Sequence, residues 1–176
     1  MKKEKIYAFI DSQNLNLGIK NQGWNLDFIK FRRYLTDKYK IDKAFLFLGY
    51  IKSNYKLYKF LANADYQLIF KQIIEIKGKI KGNVDAELIV WTMQSIYENR
   101  CDKAVIVSGD GDFSILADFL LKKNKLKKFI APNHKTMSIL IKRILIKNKR
   151  MELLDSLNDK KEKLAIEKPL YRSGNR

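Results

Sequence analysis

The chain has 176 residues, a net charge of +17, one cysteine and one histidine. Its length suffices for one domain with its own core, and its 46% hydrophobic content is typical of globular rather than disordered proteins. The single cysteine excludes an intrachain disulfide and a thiolate metal cluster, and the single histidine excludes most histidine-based zinc sites. No apolar run is long enough to span a membrane and no signal peptide precedes residue 6, so we expect a soluble cytoplasmic protein.

The positive charge is unevenly distributed. Residues 122–176 contain 17 Lys and Arg against 5 Asp and Glu, whereas residues 1–121 contain 19 against 14. A basic excess of this size indicates a polyanionic partner, most often nucleic acid. A proteome rich in lysine would raise the surface charge as well, so charge alone does not identify the partner.

Apolar runs of strand type alternate with segments of helical periodicity along the chain. In chain order they predict strand 6–10, helix 28–38, strand 43–51, helix 54–64, strand 66–70, helix 84–99, strand 103–108, helix 113–123, strand 126–131 and helix 137–146. Residues 11–14 are turn formers, and residues 18–25, with two glycines, predict a loop. Residues 73–83 alternate apolar and charged side chains around Gly78, which predicts a small hairpin or an extended loop.

This alternation predicts an α/β fold of the Rossmann-like type, a three-layer sandwich with a mostly parallel central sheet of about five strands. We assign residues 1–146 to this domain. Residues 147–176 form a basic C-terminal extension with a helical pattern over 151–165, followed by a loose tail. The chain has neither a GxGxxG fingerprint nor a Walker A lysine motif, which argues against dinucleotide binding and against a P-loop NTPase.

Acidic residues recur where predicted strands end and where predicted helices begin. They are Asp11, Asp85, Glu87, Asp110 and Asp112. Because parallel strands end at one edge of a sheet, we expect these carboxylates to lie close together, and oxygen ligands favour Mg²⁺ or Mn²⁺. A helix cap at Asp11 and favourable placement of Asp85 and Glu87 at a positive helix end explain the same residues without a metal.

Three motifs carry a resemblance to a known family. Residues 9–14 (FIDSQN), 81–85 (KGNVD) and 108–113 (SGDGDF) match its three motifs in order and spacing. The sequence resembles the NYN domain of the PIN-like nuclease superfamily, most closely its LabA-like bacterial branch, over residues 5–146.

The resemblance implies a PIN-like sandwich and Mg²⁺-dependent or Mn²⁺-dependent endoribonuclease activity. By position, the metal-binding cluster comprises Asp11, Asp85, Asp110 and Asp112, of which Asp110 is the favoured direct ligand. Asn14 is the asparagine that supports the cluster and completes the set of catalytic residues. Ser108 helps to set the turn and is a candidate contact to metal-bound water or phosphate, and Lys79 and Lys81 are further candidates for binding the substrate.

One position departs from the family pattern. Family members often carry another acid near position 91, which is tryptophan in this chain, and Glu87 is the candidate that replaces it as a metal ligand. This departure keeps open an alternative function, an RNA-binding or protein-binding NYN module with little or no turnover. A phosphatase with an aspartyl nucleophile is disfavoured, because Gln13 stands where its second aspartate belongs. Single-stranded RNA is the favoured partner, and the sequence allows a homodimer.

Overall fold

The structure is a computed structural model that describes residues 3–71, 74–76, 79–81 and 84–167. A central six-stranded sheet comprises β1 (Ile6–Asp11), β2 (Lys43–Gly49), β3 (Tyr66–Lys71), β6 (Lys103–Val107), β7 (Leu126–Ala131) and β8 (Leu154–Ser156). All neighbouring pairs are parallel, in the order β3-β2-β1-β6-β7-β8. A separate antiparallel pair contains β4 (Ile74–Ile76) and β5 (Lys79–Lys81).

Helices cover both faces of the sheet. They are α1 (Ser12–Lys20), α2 (Phe28–Tyr39), α3 (Tyr55–Asn63), α4 (Val84–Tyr97), α5 (Ser114–Lys122), α6 (Ile139–Lys147) and the short α7 (Lys161–Leu164). The first three helices and α7 supply buried side chains to one core cluster, whereas α4, α5 and α6 supply them to the other. The result is the predicted three-layer sandwich.

The strand sequences explain why the sheet is buried on both faces. In β1, Ile6, Ala8 and Ile10 belong to one cluster, and Tyr7 and Phe9 belong to the other. Successive side chains of a strand point to opposite faces, so a continuous apolar run fills both cores at once.

The strand order reverses direction beside β1. The chain builds outward through β2 and β3 on one side, and then through β6, β7 and β8 on the other. Ile10 therefore has Leu46 and Val107 as its neighbours in the two directions. Open parallel sheets bind ligands in the crevice at the carboxyl ends of strands where the order reverses. In this molecule that crevice lies between the ends of β1 and β6.

The sheet has six strands rather than the predicted five. The additional strand is β8, in a segment that the helical pattern assigned to a helix over 151–165. Its three residues are too few to show a period, and the strand forms because Leu154 pairs in register with Phe129 of β7. The segment after residue 146 thus adds a strand to the central sheet, and the domain boundary at 146 stays a prediction.

Helix α1 replaces the turn predicted over residues 11–14 and the first part of the loop predicted over residues 18–25. Its composition is poor in helix signals, but Leu15 and Ile19 are buried and Asp11 caps the first turn. Gly18 is required by packing, because a Cβ there would lie 2.7 Å from the Cβ of Pro132. Tertiary contacts therefore decide this helix, as they often override weak local preference.

Candidate metal centre

The site begins where β1 ends and α1 starts. Asp11 Oδ1 accepts a hydrogen bond from the Asn14 backbone N–H at 3.0 Å, which caps α1. Its Oδ2 accepts one from the Ser108 hydroxyl at 3.0 Å. Asp11 is only 7% exposed, and burial raises the pKa of its carboxyl, with a further contribution from the negative charge of Asp110.

The turn after β6 is joined to this first segment by side-chain hydrogen bonds. The Ser108 hydroxyl donates to Asp11 and accepts from the Asp110 N–H at 3.1 Å. Asn14 Oδ1 accepts from the Gly109 N–H at 2.7 Å. Ser108 is fully buried, so a water molecule cannot easily replace its hydroxyl. These bonds fix the β6 turn relative to the end of β1.

The second half of the turn presents two carboxylates. Asp110 Oδ1 accepts from the Asp112 N–H at 3.0 Å and caps a single 3₁₀ turn over Gly111–Phe113. Phe113 is fully buried and anchors the turn before α5 begins. The spacing of the two acids around Gly111 therefore follows from a capped turn rather than a flexible loop.

A third carboxylate comes from the start of α4, which packs on the same face of the sheet as α5 and α6. Asp85, Asp110 and Asp112 each offer one carboxylate oxygen, and these oxygens lie within 4.8 Å of one another. Burial raises the pKa of Asp85, and the charges of Asp11, Asp110 and Asp112 raise it further. Like charges at this separation repel, and a divalent cation relieves that repulsion.

The donor set fits a hard divalent cation. All three converging groups are carboxylates, which Mg²⁺ and Mn²⁺ prefer to nitrogen or sulfur ligands. The mutual repulsion that raises the pKa of Asp85 also favours occupation by a positive ion. The arrangement can hold a cation at the crevice where open parallel sheets bind ligands.

A family comparison agrees with this geometry. The sequence model of the NYN domain matches residues 5–144. The chain belongs to the NYN domain family. Membership places it in the PIN-like nuclease superfamily, as the three motifs predict, whereas the LabA-like branch stays a prediction.

A solved structure has a similar fold. The NYN domain described here superposes on a protein of unknown function from Vibrio parahaemolyticus with a TM-score of 0.68 and 20% sequence identity. The match covers 93% of this chain and 99% of the other, and it supports the fold alone. No curated protein matches the chain in sequence. In the described part of the NYN domain, no helix combines the length and apolar character that crossing a membrane requires.

The structure separates the predicted site residues of the NYN domain into groups. Asp85, Asp110 and Asp112 converge, and Asp11, Asn14 and Ser108 hold the two turns beside them. Asp11 lies outside the group of three. Burial is the largest cause of the raised pKa of Asp85, and the negative charge of Asp11 is the next largest. Its direct contact with a metal stays a prediction.

The remaining predicted site residues lie outside the group of three or have side chains outside the described part of the chain. Glu87 is outside the group of three, and its carboxylate lies 3.8 Å from Lys71 Nζ. Its role as a metal ligand stays a prediction. Lys79 and Lys81 belong to β5, but their side chains fall outside the described part of the chain. Trp91 packs 5.9 Å from Phe45, centroid to centroid, within the core layer.

The sequence analysis missed the contribution of α6 to the turn that follows β6. Ser138 caps α6, and its N–H donates to the Gly109 carbonyl at 2.9 Å. A Cβ at Gly111 would lie 2.5 Å from Ser138 Oγ, so the glycine is required by close approach. A serine before an apolar helix is a capping signal and marks the start of α6, but its proximity to the acids depends on the fold.

Proposed function

We propose that the chain is a metal-dependent endoribonuclease that hydrolyses RNA phosphodiester bonds at the acidic cluster. The observation that carries this proposal is the convergence of carboxylate oxygens of Asp85, Asp110 and Asp112 within 4.8 Å, from two separate segments, the start of α4 and the turn after β6. Membership of the PIN-like nuclease superfamily supports hydrolysis as the reaction, and nucleases of the NYN family act on RNA.

Each residue has a defined part in this proposal. Asp85, Asp110 and Asp112 hold Mg²⁺ or Mn²⁺. When bound, such an ion supplies positive charge to the phosphodiester oxygens and lowers the pKa of water. Ser108 keeps the carboxylate of Asp11 and the backbone of Asp110 in fixed positions. Asp11 adds negative charge that strengthens cation binding.

Asn14 has a positioning role through the Gly109 N–H. Lys79 and Lys81, on β5 shortly before α4, are the proposed contacts to the RNA backbone. The net charge of +17 supports a polyanionic substrate, because lysine and arginine release counterions when they neutralise phosphates.

A circular single-stranded RNA tests both metal dependence and endonucleolytic cleavage, because an enzyme that needs a free end cannot open it. We expect the purified chain to linearise it with Mg²⁺ or Mn²⁺ and to stop when EDTA is added. Asp110→Asn and Asp112→Asn should each lower the rate by roughly 100-fold or more while the circular dichroism spectrum stays unchanged. Asp37→Asn is the matched control, since Asp37 is an exposed acid on α2.

Two outcomes contradict the proposal. One is the absence of cleavage of a broad RNA panel with either metal. The other is equal cleavage by wild type and both cluster variants.

A second candidate function is an RNA-binding or protein-binding module without turnover. Its support is the missing fourth acid, because Trp91 packs on Phe45 and Glu87 is paired with Lys71. An RNA affinity that falls steeply with salt, together with no cleavage in either metal, favours this function.

A further inference from the structure

Three aromatic rings form a contiguous cluster at the carboxyl ends of β2 and β3. The rings of Tyr50, Tyr58 and Phe70, called the aromatic trio below, lie 4.7 to 5.9 Å apart between centroids. Tyr50 is 46% exposed and Phe70 is 40% exposed, so both rings face solvent in part. Partly exposed aromatic rings that cluster at a surface are typical of a contact surface.

The trio is held in place by hydrogen bonds of the backbone and of Tyr58. The Tyr50 N–H donates to the Lys71 carbonyl at 3.0 Å. The Tyr58 hydroxyl accepts from the Ile51 N–H at 2.8 Å and donates to the Gly49 carbonyl at 3.4 Å. A ring platform fixed in this way loses little side-chain entropy when a flat ligand stacks on it.

A cavity of about 380 Å³ adjoins the trio at Gly49. Its apolar walls include Phe28, Phe47 and Leu57, and its polar rim includes Gln13, Asn16 and Lys20. This volume falls within the range of small-molecule sites, roughly 300–1,000 Å³. Apolar walls with a few amide and ammonium groups suit a nucleobase, which has an apolar face and a hydrogen-bonding edge.

Both features lie on elements next to those that carry the acids. Ser12 and Gln13 of the cavity directly follow Asp11 in the chain, and Phe47 pairs in register with Asp11. On the other side, Lys71 at the end of β3 forms an ion pair with Glu87, two residues after Asp85. A single nucleic-acid strand that lies across the carboxyl ends of β2 and β3 is therefore directed toward the acidic cluster.

The charge of this region suits a phosphate backbone. Residues 43–64 contain four lysines and no Asp or Glu. Lys52, Lys56 and Lys59 are exposed and alternate with the aromatic residues of α3 and the segment before it. Lysines interleaved with exposed rings are the usual composition of surfaces that bind single-stranded nucleic acid.

We propose that the aromatic trio and the adjoining cavity bind successive nucleobases of single-stranded RNA on one side of the acidic cluster. The inference rests on the proposed function for its substrate class and adds the surface that selects unpaired bases. Duplex RNA is excluded because its bases stack on one another and cannot offer their faces to the rings.

The test is a binding measurement that needs no cleavage. Fluorescence anisotropy in EDTA, with the Asp110→Asn protein, gives the affinity for a short single-stranded RNA, the same sequence as a duplex, and the corresponding single-stranded DNA. In this background, Tyr50→Ala and Phe70→Ala should each weaken single-stranded RNA binding by roughly 5- to 100-fold, while Tyr50→Trp restores it. Comparable losses with single-stranded DNA indicate stacking without sugar recognition, whereas a loss confined to RNA indicates a 2′-hydroxyl contact as well.

Tyr97→Ala is the matched control, because Tyr97 is 88% exposed near the other end of α4. It should bind all three nucleic acids as the Asp110→Asn parent does. Circular dichroism confirms that each variant is folded. Leu57→Ala provides a second probe on the cavity side, since Leu57 is 44% exposed, and it should weaken single-stranded binding to a smaller extent.

Three results overturn the inference: unchanged RNA affinity in the Tyr50 and Phe70 variants, equal losses in Tyr97→Ala, or tighter binding of the duplex than of the single strand. Metal-dependent cleavage with no dependence of binding on Tyr50 contradicts only this inference. Binding that depends on Tyr50, with no cleavage by wild type, contradicts only the proposed function.

Discussion

Asp155 on β8 and the acids of the candidate metal centre both lie toward the carboxyl ends of the parallel strands, and their surroundings act on the carboxylate charges in opposite ways. Asp155 on β8 accepts hydrogen bonds from Lys38 Nζ and from the Tyr39 hydroxyl, each at 2.5 Å. Partial burial acts to raise its pKa, but these hydrogen bonds hold the pKa of Asp155 below its usual value. Burial and neighbouring carboxylates instead raise the pKa of Asp85 in the acidic cluster and of Asp11 beside it.

The difference distinguishes a structural acid from a site for a cation. Asp155 is neutralised by the protein itself and ties β8 to α2. The cluster brings like charges together at a cost in stability, and a bound divalent ion offsets that cost. Acids with raised pKa values in a crevice are candidates for function, whereas a paired acid with a lowered pKa stabilises the fold.

The largest expected effect is that of a substitution at the metal centre on the rate of RNA cleavage. Ser108→Ala removes the hydroxyl that bridges Asp11 and Asp110, and we expect the rate of RNA cleavage to fall roughly 10- to 100-fold, as for residues that orient metal ligands. Initial rates at saturating Mn²⁺ measure this effect. Ser95→Ala is the control, because the Ser95 hydroxyl is also buried but has no hydrogen-bond partner among the described residues. Equal rates for Ser108→Ala and wild type would contradict the positioning role.

A smaller effect is expected on folding. Asp155→Asn removes the charge that pairs with Lys38, and we expect the free energy of unfolding to fall by about 1–3 kcal/mol. Urea denaturation in EDTA measures it, with Asp37→Asn as the exposed control. Cleavage per folded molecule should stay at the wild-type rate. A loss of cleavage without a loss of stability would place Asp155 in the functional site and remove the distinction between Asp155 and the acidic cluster.

The smallest effect is the pH dependence of the metal-free protein. An acid whose pKa is raised in the folded protein contributes stability at low pH. This contribution is lost as the pH rises from 3.8, the pKa of the carboxyl in the unfolded chain, through the higher pKa of the folded state. Asp85→Asn should therefore gain stability over wild type as the pH rises above 3.8, by less than about 1 kcal/mol because the group is partly exposed.

Urea unfolding in EDTA at several pH values checks this dependence. Asp155 serves as the internal contrast, because its lowered pKa makes its contribution present above 3.8 and lost only as the pH falls through the lower folded value. A difference between Asp85→Asn and wild type that does not change with pH would show that charge repulsion at Asp85 is negligible.

Much of the fold could be predicted from local pattern. The five predicted strands are present because long apolar runs are buried on both faces of a parallel sheet. The predicted helix over 28–38 is present as α2, and the Asp27 carboxylate caps it by accepting from the N–H groups of Ile29 and Lys30. Residues 73–83 were predicted as a hairpin or loop, and β4 and β5 form the hairpin strands.

The sequence predictions were wrong where contacts between residues distant in sequence override local conformational preference. Helix α1 depends on its burial and on the close approach of Gly18 to Pro132, which no local pattern contains. Strand β8 depends on pairing with β7. Neither three residues of strand nor an asparagine-rich helix carries enough periodicity to be recognised from sequence.

The sequence by itself determined the family, the parallel α/β layers and the identity of the clustered acids, because motifs and apolar periods are properties of local residue order. Only the tertiary structure decided which acids meet. Asp85, Asp110 and Asp112 converge because α4 covers the face of the sheet above the β6 turn, while Glu87 on the same helix pairs with Lys71. Two positions along a helix change the direction of a side chain by about 200°, so sequence proximity could not distinguish Asp85 from Glu87.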